Sequence, residues 1–139
     1  MARTLYLADT SVFARLSKPG VSAAFAPMVA KAQVAICSPV AFELGYSARN
    51  AEDHQALSDR LPAFPMAQVT EADLRRALDV QALLAARALH RALSLVDGLV
   101  AAIAEARELT VLHYDADFEL VAEITGQRQL WIVARGTAD

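Results

Sequence analysis

The sequence predicts an α/β fold in which a parallel sheet carries helices on both faces. Short apolar runs bounded by polar or turn residues alternate with Ala-rich, helix-like stretches along all 139 residues. No linker, repeat or low-complexity segment interrupts this alternation. Apolar residues make up 55% of the chain, which is enough for one full core. We therefore expect a single domain over residues 1–139.

The first part of the chain predicts a β-α-α-β unit followed by two helices. The strands are "RTLYLA" (3–8) and "VAICS" (34–38), and the Pro19-Gly20 pair separates the two helices "DTSVFARLS" and "VSAAFAPMVAKA". Ser38 is a suitable cap, with Pro39 in the first turn, for a helix that runs to Asn50. Another helix is expected over 52–61.

The remaining elements follow in the same alternation. The stretch 64–70 is a weak edge-strand candidate because Pro65 stands near its start. Thr70 then caps a long helix that the periodicity extends to about residue 93. The last four elements are a very apolar helix (94–108), a strand (110–115), a helix stopped by Gly126 (116–126) and a strand (130–134).

Composition restricts the classes of function. The sequence has no run of 18 uncharged apolar residues and no signal-peptide pattern, so we expect a soluble, cytoplasmic protein without a membrane association. Cys37 is the only cysteine, which excludes an intrachain disulfide and favours a buried thiol. The net charge of −3, from 13 basic and 16 acidic residues, argues against non-specific binding of nucleic acid. A bound divalent ion would weaken that argument by reversing the local field.

Several carboxylates occur where a ligand site is expected. Asp9 ends the first strand and Asp115 the penultimate one, and Asp117 lies two residues further on. Because ligands of open parallel sheets bind beyond the carboxyl ends of the strands, these acids should share one edge. Glu43 and Asp97 are lone acids in apolar helical turns, where an unpaired carboxylate is costly.

Each acid also has an ordinary structural interpretation. Asp9 and Asp115 fit helix N-caps, and Ser94 with Asp97 fits a capping box. Glu43 has Arg49 nearby as a partner. Taken singly, these interpretations suffice, but they do not explain why so many acids should reach one edge.

Convergence of these acids would require a cation. Two like charges about 4 Å apart repel by about 4 kcal/mol at an effective dielectric constant near 20. Oxygen ligands without a cysteine or histidine cluster favour Mg²⁺ or Mn²⁺ over Zn²⁺. Such an ion polarises a phosphate and lowers the pKa of water, so the acids predict hydrolysis of a phosphodiester.

Five stretches carry a family resemblance: "LADTSV", "FELGYSAR", "SLVDGLVAAIAE", "LHYDADFELVAE" and "WIVARG". In this order they resemble the PIN-domain ribonucleases, specifically the VapC toxins of bacterial toxin-antitoxin pairs, over essentially the whole chain. The resemblance implies an α/β/α sandwich around a central parallel sheet of four to five strands. It also implies an endoribonuclease that depends on Mg²⁺ or Mn²⁺.

The resemblance assigns roles to individual residues. It implies that Asp9, Asp97 and Asp115 bind the metal, and that Glu43 binds a second ion or positions the water. Asp117 matches a frequent fifth acid, which the resemblance implies is a further metal ligand. Ser11 matches a small hydroxyl that orders the site, and His113 stands where members commonly have Thr or Ser. A histidine there is either a structural residue or a phosphate contact at the rim of the site.

The resemblance also implies partners. These are an RNA substrate, a VapB-type antitoxin that occludes the acids, and a second copy in a homodimer. Candidate RNA contacts, which solvated helix faces explain nearly as well, are Arg15, Lys18, Arg87, Arg91 and His113, with Arg75, Arg76 and His90 nearby. Candidate apolar contacts, at least half of which we expect in the core, are Phe13, Leu16, Phe25, Met28, Phe42 and Tyr46.

The leading hypothesis is therefore a toxin that hydrolyses structured RNA such as tRNA or rRNA. Two alternatives remain: a partner-free PIN nuclease of RNA processing, and a non-catalytic α/β module that binds proteins. A phosphotransferase of the haloacid-dehalogenase type is disfavoured because Ser11 stands where its second Asp is needed. A receiver domain is disfavoured because no lysine follows Lys31.

Overall fold

The computed structural model describes residues 3–139, which form a five-stranded parallel sheet flanked by helices. The strands are β1 (Tyr6–Ala8), β2 (Val34–Cys37), β3 (Met66–Ala67), β4 (Thr110–His113) and β5 (Gln129–Trp131). Their order is β3-β2-β1-β4-β5, and every neighbouring pair is parallel. The predicted α/β class is confirmed, and the weak strand after Pro65 is the two-residue edge strand β3.

Seven helices connect the strands within the described residues. They are α1 (Thr10–Phe13), α2 (Pro19–Ala30), α3 (Ser38–Tyr46), α4 (Ala51–Arg60), α5 (Glu71–Ala85), α6 (Leu95–Ala106) and α7 (Asp117–Thr125). A single 3₁₀ turn, Leu61–Ala63, follows α4. No helix in this part of the chain is long and apolar enough to cross a membrane.

Three helix boundaries differ from the sequence prediction. Helix α1 is one turn long instead of reaching residue 17, and Cys37, not Ser38, is the N-cap of α3. That helix ends at Tyr46 because Asn50, its predicted last residue, instead caps α4 by accepting a hydrogen bond from the Asp53 amide.

The largest difference is the end of α5, which stops at Ala85 instead of near residue 93. Ala88 adopts a left-handed φ of 58°. The amides of Leu89 and Ala88 donate to the carbonyls of Leu84 and Ala85 at 2.8 and 2.9 Å, which is the hydrogen-bond pattern of a Schellman ending. This turn ends α5 and redirects the chain toward α6.

Alternation along the strands divides the core between the two faces of the sheet. Leu7 and Val111 pack with α3, α6 and α7 on one face, whereas Ala8 and Leu112 pack with α1 and α2 on the other. Helix α5 packs on α6 and so forms part of the first face. The two packed faces give the α/β/α sandwich that the resemblance implied.

The topology places a switch point between β1 and β4. The chain proceeds from β1 to β2 on one side of the sheet and later returns to β4 on the other side. Ala8 pairs with Leu112, so the carboxyl ends of β1 and β4 lie side by side. A crevice at this position is the usual ligand site of an open α/β sheet.

Candidate metal centre

Three carboxylates meet at the switch point. Asp9 follows β1, Asp97 lies in the first turn of α6, and Asp115 follows β4. Each offers an oxygen atom that lies within 4.8 Å of the oxygens of the other two. Asp9 and Asp97 are buried, at 2% and 5% exposed, while Asp115 is half-buried. The structure thus brings together the three acids predicted to bind a metal.

Asp9 serves as a helix cap through only one of its oxygens. Its Oδ2 accepts a hydrogen bond from the Ser11 amide at 3.0 Å at the start of α1. Its Oδ1 is buried and has no hydrogen-bond partner among residues 3–139. Because a buried carboxylate oxygen without a partner is costly, this atom is a natural ligand for a cation.

Ser11 connects the ends of the two central strands. Its hydroxyl oxygen accepts a hydrogen bond from the Tyr114 amide at 2.9 Å, while its own amide donates to Asp9. The residue therefore links the first turn of α1 to the chain just after β4. This geometry supports the ordering role that the resemblance implied for Ser11.

Asp97 is in the position of a capping-box acid, but only half of the box is present. The Ser94 hydroxyl accepts a hydrogen bond from the Asp97 amide at 3.1 Å. The reciprocal bond, from the Ser94 amide to the Asp97 carboxylate, is replaced by one to Asp117 Oδ2 at 3.3 Å. The Asp97 carboxylate is therefore directed at the other acids.

His113 orients Asp115 from inside the core. The Asp115 amide donates to His113 Nδ1 at 3.0 Å, and His113 Nε2 lies 2.6 Å from Gln129 Oε1. The ring is completely buried, with the rings of Phe118 and Trp131 each 4.9 Å away between centroids. Burial lowers the pKa of His113, so the ring stays neutral. The prediction that His113 contacts RNA at the rim is wrong, because the buried ring is out of reach.

Burial and mutual repulsion perturb the acids strongly. Burial, the charge of Asp9 and hydrogen bonding with Asp117 raise the pKa of Asp97 to about 10. The pKa of Asp9 is also raised, by burial and by the charges of Asp115 and Glu43, against the two hydrogen bonds from Ser11. When no cation is bound, the cluster retains a proton at neutral pH. The all-oxygen donor set and the unpaired Asp9 oxygen fit a hard divalent cation.

Glu43 and Asp117 border the three central acids. Glu43 is half-buried on α3, and its charge contributes to the raised pKa of Asp9. Its alternative partner Arg49 pairs instead with Asp53, at 2.8 Å. Asp117, the first residue of α7, donates its amide to Asp115 Oδ1 at 3.0 Å.

A cleft of about 350 Å³ opens from Asp115. The Arg15 guanidinium lies 4.6 Å from the centroid of the Tyr114 ring at this cleft, and that of Arg135 lies 5.6 Å from the Trp131 ring. Arg135 is not among the residues predicted from the sequence, although it directly follows the strand predicted over 130–134, in "WIVARG", and this position is the signal that could have indicated it. The cleft thus places two cations beside Asp115, and Asp139 also lines it.

The other predicted RNA contacts lie elsewhere. Arg87 and Arg91 are exposed in the turn after α5. Lys18 Nζ donates to the Asp139 carbonyl oxygen at 2.9 Å. Arg76 forms an ion pair with Glu105 at 2.7 Å. None of these four residues lines the cleft at Asp115.

Two aromatic side chains on α3 are exposed, and they lie close in sequence to Glu43. Phe42 is 84% exposed and Tyr46 is 90% exposed, on either side of Glu43 in sequence. The other four predicted apolar contacts, which pack against the core on the α2 side, are Phe13, Leu16, Phe25 and Met28. The expectation that at least half of the six belong to the core is confirmed. The predicted burial of Cys37 is also confirmed, and burial raises its pKa to about 11.

Comparison with known proteins identifies the family. Residues 6–124 match the family described as "PIN domain". Over 134 residues the chain is 48% identical to "Ribonuclease VapC51" of Mycobacterium tuberculosis (strain H37Rv), covering 96% of this chain and 97% of that protein. The chain belongs to the PIN-domain family, among the VapC ribonucleases. This VapC-type chain is also 37% identical to "Ribonuclease VapC21" of the same species over 136 residues, 97% of this chain and 99% of that protein.

Solved structures share the fold of this PIN domain. A crystal structure of VapBC2 from Rickettsia felis, bound to a DNA fragment from the promoter, has a TM-score of 0.76. It is 17% identical and covers 92% of this chain and 98% of that chain. DNA-bound VapBC from Salmonella typhimurium has a TM-score of 0.74 at 19% identity, covering 94% and 99%. At these identities the likeness establishes the fold alone.

Proposed function

We propose that this protein is the toxin of a type II toxin-antitoxin pair, an endoribonuclease that inhibits translation by hydrolysing structured RNA such as tRNA or rRNA. The proposal is carried by the convergence of Asp9, Asp97 and Asp115, one with an unpaired buried oxygen, in a chain 48% identical to a named ribonuclease. The three acids lie at the switch point of the sheet, where a substrate has access. We assign the whole of residues 1–139 to this one domain.

The metal would be held by Asp9, Asp97 and Asp115. Mg²⁺ or Mn²⁺ suits this donor set, and when bound it supplies charge stabilisation at the phosphate and a more acidic water. The Glu43 carboxylate, at the edge of the cluster, orients the attacking water by accepting its hydrogen bond. Ser11 and His113 hold Asp9 and Asp115 in place through the hydrogen bonds described above.

RNA would approach along the cleft beside Asp115. Arg15 and Arg135 present cations there for the phosphates next to the scissile bond. Water attacks the phosphorus atom, the bond to the 3′ oxygen breaks, and that oxygen takes a proton. The products are a 5′-phosphate and a 3′-hydroxyl. Because tRNA and rRNA are the proposed substrates, the protein would act in the cytoplasm.

The first test is to map RNA 5′ ends in cells after brief induction of the wild type and of Asp97→Asn. We expect discrete new 5′-phosphorylated ends in tRNA or rRNA with the wild type and none with Asp97→Asn. Asp59→Asn, which changes an exposed acid on α4, is the matched control and should cleave like the wild type. Identical 5′ ends with wild type and Asp97→Asn would refute the nuclease and favour the non-catalytic binding module.

An antitoxin of the VapB type is the proposed protein partner. An apolar groove of about 320 Å³ lies between α5 and the start of α6, ending at Ser94 beside the acids. A segment of the antitoxin that fills this groove would end at Ser94, which is hydrogen-bonded to Asp97 and Asp117. Co-expression of the antitoxin should restore growth, and Leu78→Glu, at a 63% exposed residue of the groove, should weaken that rescue. Unchanged rescue would remove the groove from the antitoxin interface.

A homodimer is proposed through the aromatic residues on α3. Phe42 and Tyr46 expose large apolar surfaces, one helical turn apart, next to the Glu43 position. Replacing both with serine should convert a dimer into a monomer in sedimentation experiments. The same replacement at the exposed Leu83 of α5 is the control, and a mass unaffected by the α3 variant would contradict this interface.

A further inference from the structure

Two helices of this protein begin with the same sequence pattern but use it differently. Helix α5 starts with Thr70 and has Asp73 three residues later, and α6 starts with Ser94 and has Asp97 three residues later. In α5 the capping box is complete: the Thr70 amide donates to Asp73 Oδ2 at 2.8 Å, and the Asp73 amide donates to the Thr70 hydroxyl oxygen at 3.3 Å. By sequence alone, Asp97 should bind its own cap in the same way.

In α6 the second bond of the box comes from another element. The Ser94 amide donates to Asp117 Oδ2 at 3.3 Å, from the first residue of α7. The Asp97 carboxylate therefore does not have to accept the Ser94 amide, and it lies within 4.8 Å of the Asp9 and Asp115 oxygens. Asp117 also donates its own amide to Asp115 Oδ1 at 3.0 Å. Asp117 thus binds the cap residue that precedes Asp97 and also binds Asp115 directly.

We propose that Asp117 is a positioning residue, which substitutes for Asp97 in the cap of α6 and so directs Asp97 to the metal. This inference rests on the proposed metal-dependent function. It assigns Asp117 a role different from the direct metal ligand that the family resemblance implied. The side chain acts as a hydrogen-bond acceptor for Ser94.

The consequence is a difference between two substitutions that remove the same charge. In Asp117→Asn the amide oxygen still accepts from Ser94, so Asp97 keeps its orientation. In Asp117→Ala the Ser94 amide is free, and Asp97 can turn back to complete its own box, as Asp73 does in α5. Loss of a residue that orients a metal ligand commonly costs about 10- to 100-fold in metal affinity. We expect Mn²⁺ to bind Asp117→Ala at least tenfold more weakly than Asp117→Asn.

The test measures Mn²⁺ binding by calorimetry in the absence of RNA, with the wild type, both variants, and Glu123→Gln as a control for charge on the same helix. The second readout is the amide resonance of Ser94 in the metal-free protein. It should be preserved in Asp117→Asn and shifted in Asp117→Ala. A purely structural role would leave the affinity for Mn²⁺ unchanged in both variants.

Equal loss of Mn²⁺ affinity in the two variants, with the Ser94 resonance preserved in both, would overturn the inference in favour of a direct ligand. Unchanged affinity in both would overturn it as well. These results would leave the proposed function intact. If the wild type binds no Mn²⁺, the metal site itself fails, and this inference fails with it.

Discussion

Asp9 shows how one carboxylate can be both a helix cap and a candidate metal ligand. Its Oδ2 caps α1 through the Ser11 amide, while its Oδ1 has no partner in the described chain. A cap needs one acceptor oxygen, and a carboxylate has two. The helix cap therefore fixes the rotation of the side chain and presents the second oxygen to the cluster. Asp115 behaves similarly, because its Oδ1 accepts the Asp117 amide.

The raised pKa of Asp97 predicts how the metal-free protein responds to pH. An acid whose pKa is about 10 in the folded state, against 3.8 for the ordinary side chain, retains a proton that the unfolded chain releases. Its contribution to stability is full below the unfolded pKa and is lost as pH rises through the folded pKa, at about 1.4 kcal/mol per pH unit. In EDTA, stability should therefore fall between about pH 5 and about pH 9.

Replacing the acid should remove this pH dependence. Asp97→Asn has no proton to lose at this position, so its free energy of unfolding in EDTA should exceed that of the wild type at about pH 8 and vary less with pH. Thermal or urea unfolding across the pH range measures both effects. The exposed Asp59→Asn should retain the wild-type slope. If Asp97→Asn is as pH-sensitive as the wild type, Asp97 does not hold the proton.

At the scale of helices, α5 supports α6 through two ion pairs of very different burial. Arg107 pairs with Asp73 at 2.9 Å, where the Asp73 side chain is only 4% exposed. Arg76 pairs with Glu105 at 2.7 Å, with both side chains more than a third exposed. Removing one partner of a buried pair leaves an uncompensated charge, whereas exposed pairs contribute little.

The two arginines should therefore differ in their effect on stability. Arg107→Met should lower the free energy of unfolding by about 3 kcal/mol, because the buried Asp73 carboxylate then has no positive charge beside it and keeps only the Thr70 amide as a hydrogen-bond donor. Arg76→Met, the matched control, should cost less than about 1 kcal/mol. Urea unfolding measures both, and equal costs would contradict the distinction. RNA cleavage per folded molecule should survive both changes, since neither arginine reaches the acids.

Most elements follow from local patterns, and the exceptions have physical causes. Gly126 ends α7 in the left-handed conformation, as its sequence position predicts. Ala32, Ala88 and Glu108 adopt the same conformation, with φ between 54° and 58°, at the ends of α2, α5 and α6. Non-glycine residues give no sequence signal for such an ending, so the end of α5 was not predictable. Tertiary packing of the following segment decides it.

The candidate site also has a part that the sequence predicts and a part that it does not. The meeting of Asp9 with Asp115 was predictable, because it follows from the ends of two neighbouring parallel strands. The different behaviour of Asp73 and Asp97 was not, since both stand three residues after a hydroxyl cap and only Asp117, on another helix, distinguishes them. Likewise, the burial of His113 depends on its contacts with Phe118 of α7 and Trp131 of the neighbouring strand β5.

At the scale of the whole molecule, the net charge of −3 would oppose RNA binding only if the charge were spread evenly over the surface. The central acids lie at the switch point, where a bound cation would neutralise part of their charge. Arg15 and Arg135 lie at the cleft that extends from Asp115, each held by an aromatic ring. The field that RNA meets at this edge is therefore set by these groups more than by the total.

This arrangement predicts a specific effect of salt on RNA binding. In the inactive Asp97→Asn background, Arg15→Gln and Arg135→Gln should each weaken binding of a labelled RNA about 3- to 10-fold. Each variant neutralises one RNA phosphate fewer than its parent. The magnitude of the slope of log affinity against log salt concentration should therefore also fall by about 0.7 for single-stranded RNA. Fluorescence anisotropy over a range of salt concentrations measures both. Arg75→Gln, on the exposed side of α5, should change neither.

The ion pair of Arg135 with Glu119, at 3.6 Å, separates a phosphate contact from a structural role. If Arg135 only stabilises the protein through Glu119, then Glu119→Gln should reproduce the effect of Arg135→Gln on RNA binding. If Arg135 contacts phosphate, Glu119→Gln should strengthen binding instead, because it removes a competing charge from the guanidinium. Opposite signs for the two variants would support the cleft as the path of the RNA, and equal losses would assign Arg135 a structural role instead.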